Sequence, residues 1–145
     1  MEISQTGIDL IKEFESCSLV PYKDVVGVWT IGYGHTRGVN SKTKPITKEK
    51  AEELLRNDIS EFEAYVNNKQ YVPQNLNQNQ FDALVSFAFN LGPRNLKELC
   101  TANFEPGEKT VNDIANEITL YNKAGGKVCN GLVNRRKKEK ELFKK

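Results

Sequence analysis

The sequence predicts an α+β fold with a small N-terminal lobe, a long connecting helix and a mostly helical C-terminal lobe. Three observations predict it. A helical pattern of apolar residues begins almost at Met1, a stretch rich in β-branched and aromatic residues follows at 28–35, and helical patterns then continue from Thr47 onward. A length of 145 residues, with 38% apolar and 28% charged residues, suits a soluble globular chain with its own core.

We expect a single domain over residues 1–145. Its N-terminal lobe covers about 15–46, the connecting helix about 47–67 and the helical lobe about 74–145, and the first helix, at 4–16, packs on the helical lobe. Because ligand sites favour the cleft between two lobes, we expect the functional residues to converge there.

The small lobe is indicated by helix, turn and strand signals in that order. Residues 4–16 predict a helix, because Ser4 and Thr6 are candidate caps and four apolar residues fall on one side of it. Turn-forming residues follow at three positions: Pro21, Asp24 and Gly27. The stretch V-W-T-I-G-Y-G-H then predicts a strand of a short antiparallel sheet, and residues 40–45 predict a polar loop.

The remaining chain reads as helices. Thr47 caps a helix running to about Asn67, whose predicted buried face holds Ala51, Leu54, Leu55, Ile59, Phe62, Tyr65 and Val66. The segment Q-F-D-A-L-V-S-F-A-F-N-L is apolar nearly all round, which predicts a buried central helix that ends at Gly92 and Pro93. Shorter helices follow near 96–103 and 110–122, and a glycine loop at 125–126 leads to a last helix from about Gly131.

The formal net charge is only +2, so the chain as a whole is not a polycation. Its basic excess lies at the C-terminus, at Arg135, Arg136, Lys137, Lys138, Lys140, Lys144 and Lys145. Because Glu139 and Glu141 interrupt this run, we interpret it as a solvated helix face. Attraction to an anionic polymer such as cell wall, a membrane surface or nucleic acid is the alternative.

The three cysteines, Cys17, Cys100 and Cys129, cannot all pair within one chain and lack the spacing and histidine partners of a zinc site. We therefore expect free thiols. No apolar run approaches the roughly 20 residues of a membrane span. The early helical pattern also predicts that no signal peptide precedes the fold, so export would rely on another component or on a segment that has been removed.

Glu15 is a carboxylate on the apolar side of the first helix. It lies between Ile8 and Ile11 on the helical wheel, in the last turn, where the helix dipole is negative. Burial and the dipole both disfavour the ionised form, so we expect a raised pKa at Glu15, the property that a general acid needs. The alternative is a boundary glutamate that turns to solvent or pairs with an arginine.

Asp24 stands at a turn just before the strand that carries Thr30. Taken alone, Asp24 is typical of a turn and Thr30 is unremarkable in a strand. Together with Glu15, however, they place a helix-end carboxylate, a turn carboxylate and a strand hydroxyl close in sequence. Two carboxylates flanking a bond, one protonated and one ionised, are what glycoside hydrolysis requires.

A second acidic residue, Asp58, falls on the apolar stripe of the long helix, where a carboxylate needs a partner. The only histidine, His35, ends the predicted strand, so we predict an ion pair that ties the sheet to the long helix. A catalytic histidine is the alternative, but no Ser or Cys motif accompanies it. We interpret Cys17 as a small buried hydrophobe, with redox control of the site as the alternative.

Three motifs resemble the phage-type lysozyme family, glycoside hydrolase family twenty-four. The most specific is G-I-D-L-I-K-E-F-E-S followed by P-Y-K-D-V-V-G-V-W-T-I-G-Y-G-H-T, the second is N-Q-N-Q-F-D-A-L-V-S-F-A-F-N-L-G, and the third is G-L-V-N-R-R-K-K-E. The resemblance covers almost the whole chain. It implies a lysozyme-like fold and cleavage of the β-1,4 bond between N-acetylmuramic acid and N-acetylglucosamine in bacterial peptidoglycan, used for host-cell lysis.

The resemblance also implies residue roles. The family's catalytic Glu, Asp and Thr match Glu15, Asp24 and Thr30: the first protonates the leaving oxygen, and the other two hold the attacking water, which implies inversion. The family's His-Asp pair matches His35 and Asp58. Positions that bind substrate match Gly34, Phe89, Asn90 and Arg135. No metal or cofactor is implied, because two carboxylates are sufficient for this cleavage.

The chain departs from the family where E-S, followed by Cys17, replaces the common E-G after the catalytic Glu. This change can alter how the first helix ends. Some relatives with N-terminal export anchors regulate activity through a cysteine at this point, which keeps redox control open.

Two other functions remain open. A lytic transglycosylase cleaves the same bond without a water-holding Asp, so the presence of Asp24 with Thr30 favours hydrolysis. A non-catalytic cell-wall or nucleic-acid binder would use the basic tail, in which Phe143 is the only aromatic residue. We expect a monomer without a nucleic-acid partner or stable membrane insertion. It would be made in the host bacterial cytoplasm and act on peptidoglycan in the periplasm.

Overall fold

The structure is a computed structural model that describes residues 1–104 and 108–145. It has a helical majority with two short antiparallel sheets. The chain forms two compact units, one of residues 11–61 and the other of residues 1–10 and 62–145. In the described part of the chain, no helix is both long enough and apolar enough to cross a membrane.

The first unit contains the end of helix α1 (Gln5–Phe14) and a two-stranded sheet of β1 (Ser18–Lys23) and β2 (Trp29–Gly32). The predicted strand is present as β2, whereas the sequence does not predict β1, because Pro21 indicates a turn. Pro21 is tolerated because it lies in an irregular stretch of β1, between the pairs Ser18↔Gly32 and Tyr22↔Thr30. A proline, which lacks an N–H, is compatible with a strand at such a position.

Helix α2 (Lys48–Asn67) begins and ends within one residue of the prediction. Thr47 caps it, since its Oγ1 accepts from the backbone N–H of Lys50 at 3.1 Å. The predicted apolar face is the buried one, with Ala51, Leu55, Ile59 and Val66 shielded from solvent. Gly32 at the end of β2 has φ +66°, and a Cβ there would lie 3.5 Å from Ala51, so the strand closes tightly on this helix.

The second unit is built around α3 (Gln78–Leu91), in which eight consecutive residues from Phe81 to Ala88 are buried. Asn77 and Gln80 form a capping box at its start, and it ends at Gly92, which has φ +87°. The next helix, α4 (Pro93–Cys100), begins three residues before the predicted position, because Pro93 opens a helix as readily as it ends one.

The remaining elements follow in chain order. Helix α5 (Val111–Glu117) continues into a single 3₁₀ turn (Ile118–Leu120), which together fill the helix predicted near 110–122. The glycine loop at 125–126 closes a small hairpin of β3 (Lys123–Ala124) and β4 (Lys127–Val128), which was not predicted. Helix α6 (Asn130–Phe143) completes the chain and packs mainly on α3.

The interpretation of the C-terminal basic run as a solvated helix face is wrong for part of α6. Arg135 and Arg136 are only 3% and 0% exposed, and Glu139 between α6 and α3 is 0% exposed. The lysines at 137 and 138 are exposed, as a solvated face requires. The two arginines are buried because they share a carboxylate and hydrogen-bond acceptors on α3.

All three cysteines carry free thiols. Cys100 is fully buried, and burial raises the pKa of its thiol to about 12. Cys17 and Cys129 are half-buried.

Candidate active site

Glu15 directly follows the last residue of α1. Its backbone N–H donates to Ile11 O at 3.0 Å, which extends the helical pattern by one residue. Glu15 is half-buried, and Ile11 one turn earlier is fully buried. Glu15 therefore stands at the carbonyl end of the helix, one turn after a buried residue.

Asp24 is held by the turn that joins β1 to β2. Its Oδ1 accepts from the backbone N–H of Val26 at 3.0 Å and from that of Val28 at 2.9 Å. Its own backbone N–H donates to Val28 O at 2.9 Å. Among the described residues no group donates to Oδ2, so the turn fixes the carboxylate and leaves one oxygen available.

Thr30 lies on β2, opposite Tyr22 of β1, and is 4% exposed. Its Oγ1 donates to Val28 O at 2.9 Å. The backbone of Val28 therefore contacts both predicted residues, because its N–H donates to Asp24 and its carbonyl accepts from Thr30. We call Asp24, Val28 and Thr30 the Asp24 turn unit. In it the hydroxyl proton of Thr30 is committed to the backbone, and its lone pairs remain as acceptors.

His35 and Asp58 contact each other: His35 Nδ1 is 2.8 Å from Asp58 Oδ2. Backbone hydrogen bonds of 2.9 Å in both directions between Ile31 and His35 close the turn after β2. The contact therefore joins this turn to α2. Gly34 lies at the turn with φ +80° and is exposed, and no atom approaches the position that a Cβ would take.

The surroundings of Tyr33 are a feature of this unit that the sequence did not reveal. The ammonium groups of Lys12 and Lys48 lie 5.4 Å and 5.1 Å from the centre of its ring. A hydrogen bond with Tyr33 raises the pKa of Lys48, and Cys17 adds a smaller electrostatic contribution in the same direction. Cys17 therefore lies near a cationic side chain. It is half-buried, whereas the sequence predicts a buried residue.

The other three predicted binding residues belong to the second unit. Phe89 packs edge-on against Phe62, with ring centres 5.5 Å apart. Asn90 Oδ1 accepts from Arg136 Nη2 at 2.8 Å. Arg135 Nη2 donates to the carbonyl oxygen of Ser86 at 3.2 Å. The residues that the sequence predicts for the site therefore belong to two units. One unit holds Glu15, Asp24, Thr30, Gly34, His35 and Asp58, and the other holds Phe89, Asn90 and Arg135.

A buried charge cluster of Ser86, Arg135, Arg136 and Glu139 lies between α3 and α6. Glu139 Oε2 accepts from Ser86 Oγ at 2.6 Å, from Arg136 Nη2 at 3.2 Å and from Arg135 Nε at 3.3 Å. Arg136 Nε lies 2.7 Å from the other oxygen, Glu139 Oε1. Burial raises the pKa of Glu139 and lowers that of Arg136, and the contacts between the two oppose both effects.

The sequence could not reveal this cluster, because each charge taken alone resembles a surface residue. The available signal is Ser86 in the buried stretch of α3, which requires a polar partner elsewhere in the chain. Across residues 1–104 and 108–145, no group of three His, Cys, Asp or Glu side chains is placed to hold a metal ion.

Comparison with known sequences identifies relatives along the whole chain. A model of the family described as Phage lysozyme matches residues 12–139. The chain is 45% identical over 151 residues to the endolysin of Bacillus phage B103, and 44% identical over 145 residues to that of Bacillus phage PZA. Both alignments cover 99% of this chain but 54% and 55% of those proteins, so the chain spans about half their length. The SAR-endolysin of Haemophilus phage HP1 (strain HP1c1) is 36% identical over 153 residues, covering 97% of this chain and 80% of that protein.

Solved structures of related proteins also match almost the whole chain. The muramidase domain of SpmX from Asticaccaulis excentricus has a TM-score of 0.84 at 36% identity, over 98% of this chain and 97% of that one. The endolysin of Escherichia coli O157:H7 phage FAHEc1 has a TM-score of 0.80 at 32% identity, over 99% and 93%. These structures show that the fold is lysozyme-like. With a family match over most of its residues and relatives along its whole length, the chain belongs to the phage lysozyme family, a family of glycoside hydrolases.

Proposed function

We propose that this chain is a muramidase that hydrolyses the β-1,4 bond between N-acetylmuramic acid and N-acetylglucosamine in peptidoglycan, with inversion at the anomeric carbon. The observation that carries the proposal is the Asp24 turn unit. It holds one carboxylate and one hydroxyl through the backbone of the same residue, Val28, and each has an acceptor oxygen available. Glu15 supplies a second, half-buried carboxylate in the same unit of the chain.

In this proposal Glu15 is the general acid. It donates its proton to the glycosidic oxygen as the bond to the anomeric carbon breaks, so the leaving sugar departs as an alcohol. Its place at the carbonyl end of α1, one turn after buried Ile11, is the basis for expecting the raised pKa that this step requires. A raised pKa at Glu15 stays a prediction.

Asp24 and Thr30 activate the water that attacks the opposite face of the sugar. Asp24 Oδ2 accepts one proton of the water as general base, and Thr30 Oγ1 accepts a hydrogen bond from the other O–H. Backbone donors hold Asp24 Oδ1, and Val28 O holds the Thr30 hydroxyl, so neither group must reorient as the water attacks. For an inverting site we expect the carboxyl groups of Glu15 and Asp24 to lie roughly 6.5–9.5 Å apart.

Amide substitutions at the two carboxylates test the proposal. Glu15→Gln should abolish the clearing of a peptidoglycan suspension, and Asp24→Asn should impair it severely, while both variants stay folded by circular dichroism. Glu13→Gln is the matched control, because Glu13 lies on α1 and is exposed. Clearing by Glu15→Gln at the parent rate would refute the assignment of the acid.

The competing lytic transglycosylase reaction is separated by its products. Hydrolysis adds the elements of water and leaves a reducing N-acetylmuramic end, whereas intramolecular attack leaves a 1,6-anhydro end. Mass spectrometry distinguishes the two, because the anhydro product is lighter by one water. Anhydro ends as the main product would overturn the hydrolytic assignment to Asp24 and Thr30.

We propose that the chain acts as a monomer on peptidoglycan in the periplasm, in a role of host-cell lysis. The endolysin names of its relatives support this role, and the SAR-endolysin name of the Haemophilus phage relative supports export. The relatives from Bacillus phages are about twice as long, so their full activity is not carried over. Light scattering in solution would test the monomer, and a dimer mass would contradict it.

A further inference from the structure

The buried charge cluster demands an explanation beyond packing. It places two guanidinium groups and one carboxylate in the interior, where removing charges from water is costly. Replacing a buried ion pair by apolar residues of similar volume is often neutral or stabilising, so packing alone does not require these charges. The contacts that Arg135 and Arg136 make therefore explain the cluster better than packing does.

Arg136 connects the cluster to Asn90. Its Nη2 donates both to Glu139 Oε2 at 3.2 Å and to Asn90 Oδ1 at 2.8 Å, and its guanidinium carbon lies 4.9 Å from the centre of the Phe87 ring. Because a guanidinium can only donate, it fixes which end of the Asn90 amide points inward. The two N–H donors of the Asn90 amide are thereby turned away from the cluster. Asn90 itself is half-buried.

Arg135 depends on the same carboxylate. Its Nε donates to Glu139 Oε2 at 3.3 Å, and its Nη2 lies 3.4 Å from Ser86 Oγ, which in turn donates to Glu139 Oε2. Glu139 therefore orients both guanidinium groups, through Oε2 at each of them and also through Oε1 at Arg136 Nε. Through them it sets the direction of Arg135 and of the Asn90 amide, two residues that the family resemblance assigns to substrate binding.

We propose that Glu139 and Arg136 are positioning residues for glycan binding. Glu139 holds the guanidinium groups, and Arg136 holds the Asn90 amide so that its N–H donors face an acceptor on the sugar, a hydroxyl or an acetamido oxygen. Preorganisation of this kind improves binding, because the donor loses no rotational freedom when the sugar arrives. The proposal rests on the proposed muramidase function.

Two substitutions on α6 test it, each with an exposed control on the same helix. Arg136→Met is paired with Lys138→Met, and Glu139→Gln with Glu141→Gln, since the lysine at 138 and the glutamate at 141 are exposed. The assay measures KM and kcat on soluble peptidoglycan fragments, with thermal unfolding alongside. We expect KM to rise about tenfold in Arg136→Met, the effect of losing one oriented hydrogen bond, with kcat nearly unchanged.

A merely structural cluster gives a different result. If the cluster only stabilises the fold, a substitution in it lowers the folded fraction of the protein. The apparent kcat then falls in proportion, and KM does not change. Asn90→Asp sharpens the distinction, because a carboxylate still accepts from Arg136 but has no N–H to offer a sugar. The thermal stability of Asn90→Asp should be retained. Its KM should rise as much as the KM of Asn90→Ala, a variant that removes the amide altogether.

The energetic coupling between Arg136 and Asn90 provides the last test. In an Asn90→Ala background, Arg136→Met should raise KM no further, because the group that it positions is gone. Independent increases, or an unchanged KM in folded Arg136→Met, overturn the proposal. If Arg136→Met does not fold, Arg136→Lys replaces it, since lysine keeps the charge without the forked donors and should also raise KM. A parent protein that cleaves no glycan would refute the proposed function itself.

Discussion

Replacing Thr30 by valine separates its chemical role from its structural one. Valine has nearly the shape of threonine and suits a strand, so it fills the same buried position on β2. The substitution removes one hydrogen bond, from Thr30 Oγ1 to Val28 O at 2.9 Å. Val28 O keeps the N–H of Asp24 as a donor at 2.9 Å, so no buried carbonyl is left without a partner.

The expected magnitudes differ widely between stability and activity. Losing one hydrogen bond without an unsatisfied partner costs about 1 kcal/mol of unfolding free energy, and the strand preference of valine offsets part of it. Losing a preorganised group that orients the attacking water costs about 100-fold in rate, or about 2.7 kcal/mol of activation free energy. We therefore predict a folded protein of nearly unchanged stability and about 1% activity.

The assay compares urea unfolding with peptidoglycan clearing for Thr30→Val and Thr30→Ser. Serine keeps the hydroxyl, so Thr30→Ser should retain most of the activity although it loses a methyl group. If Thr30→Val clears peptidoglycan within a factor of a few of the parent protein, Thr30 does not hold the water. If both variants lose activity together with stability, the role of Thr30 is structural.

Three further predictions follow from contacts away from the reaction. Asp58→Ala should lower the free energy of unfolding by roughly 1 kcal/mol, because its contact with His35 is only partly shielded from water; equal urea midpoints would contradict this. The thiol of Cys100 should resist iodoacetamide in the folded protein while the other two cysteines react, since burial raises its pKa to about 12; mass mapping would reveal early alkylation if this is wrong. Burial and a hydrogen bond to Glu98 raise the pKa of Tyr121, so the neutral phenol is favoured in the folded state. Stability should fall as the pH rises above about 10, and Tyr121→Phe should weaken this dependence, which denaturant titrations at pH 9 and 11 would measure.

The helices were predictable because their signals are local. The cap at Thr47 and the spacing of apolar residues placed α2 within one residue, and the apolar segment ending at Gly92 placed α3. Strand β1 was missed for a local reason as well, because Pro21 usually marks a turn. Only its partner strand shows that it lies in an irregular stretch of the ladder, where a proline fits.

The candidate site was only partly predictable. The positions of Glu15 after α1 and Asp24 in a turn follow from periodicity and turn chemistry, and the role of each came from the family resemblance. The backbone of Val28 as the shared partner of Asp24 and Thr30 has no sequence signature, because any residue has the same N–H and carbonyl. The burial of Glu139 depends on Ser86, which lies 53 residues earlier in the chain, so charge counting along α6 could not predict it.

In the proposed mechanism, Asp24 and Thr30 deliver water to the face of the sugar opposite the departing bond. Proton NMR of a soluble glycan fragment, recorded in the first minutes of cleavage before mutarotation, measures it most directly. Inversion requires that the new reducing end appears first as the α-anomer, since the bond that is cleaved is β. First appearance of the β-anomer would mean retention and would contradict the role given to Asp24 and Thr30.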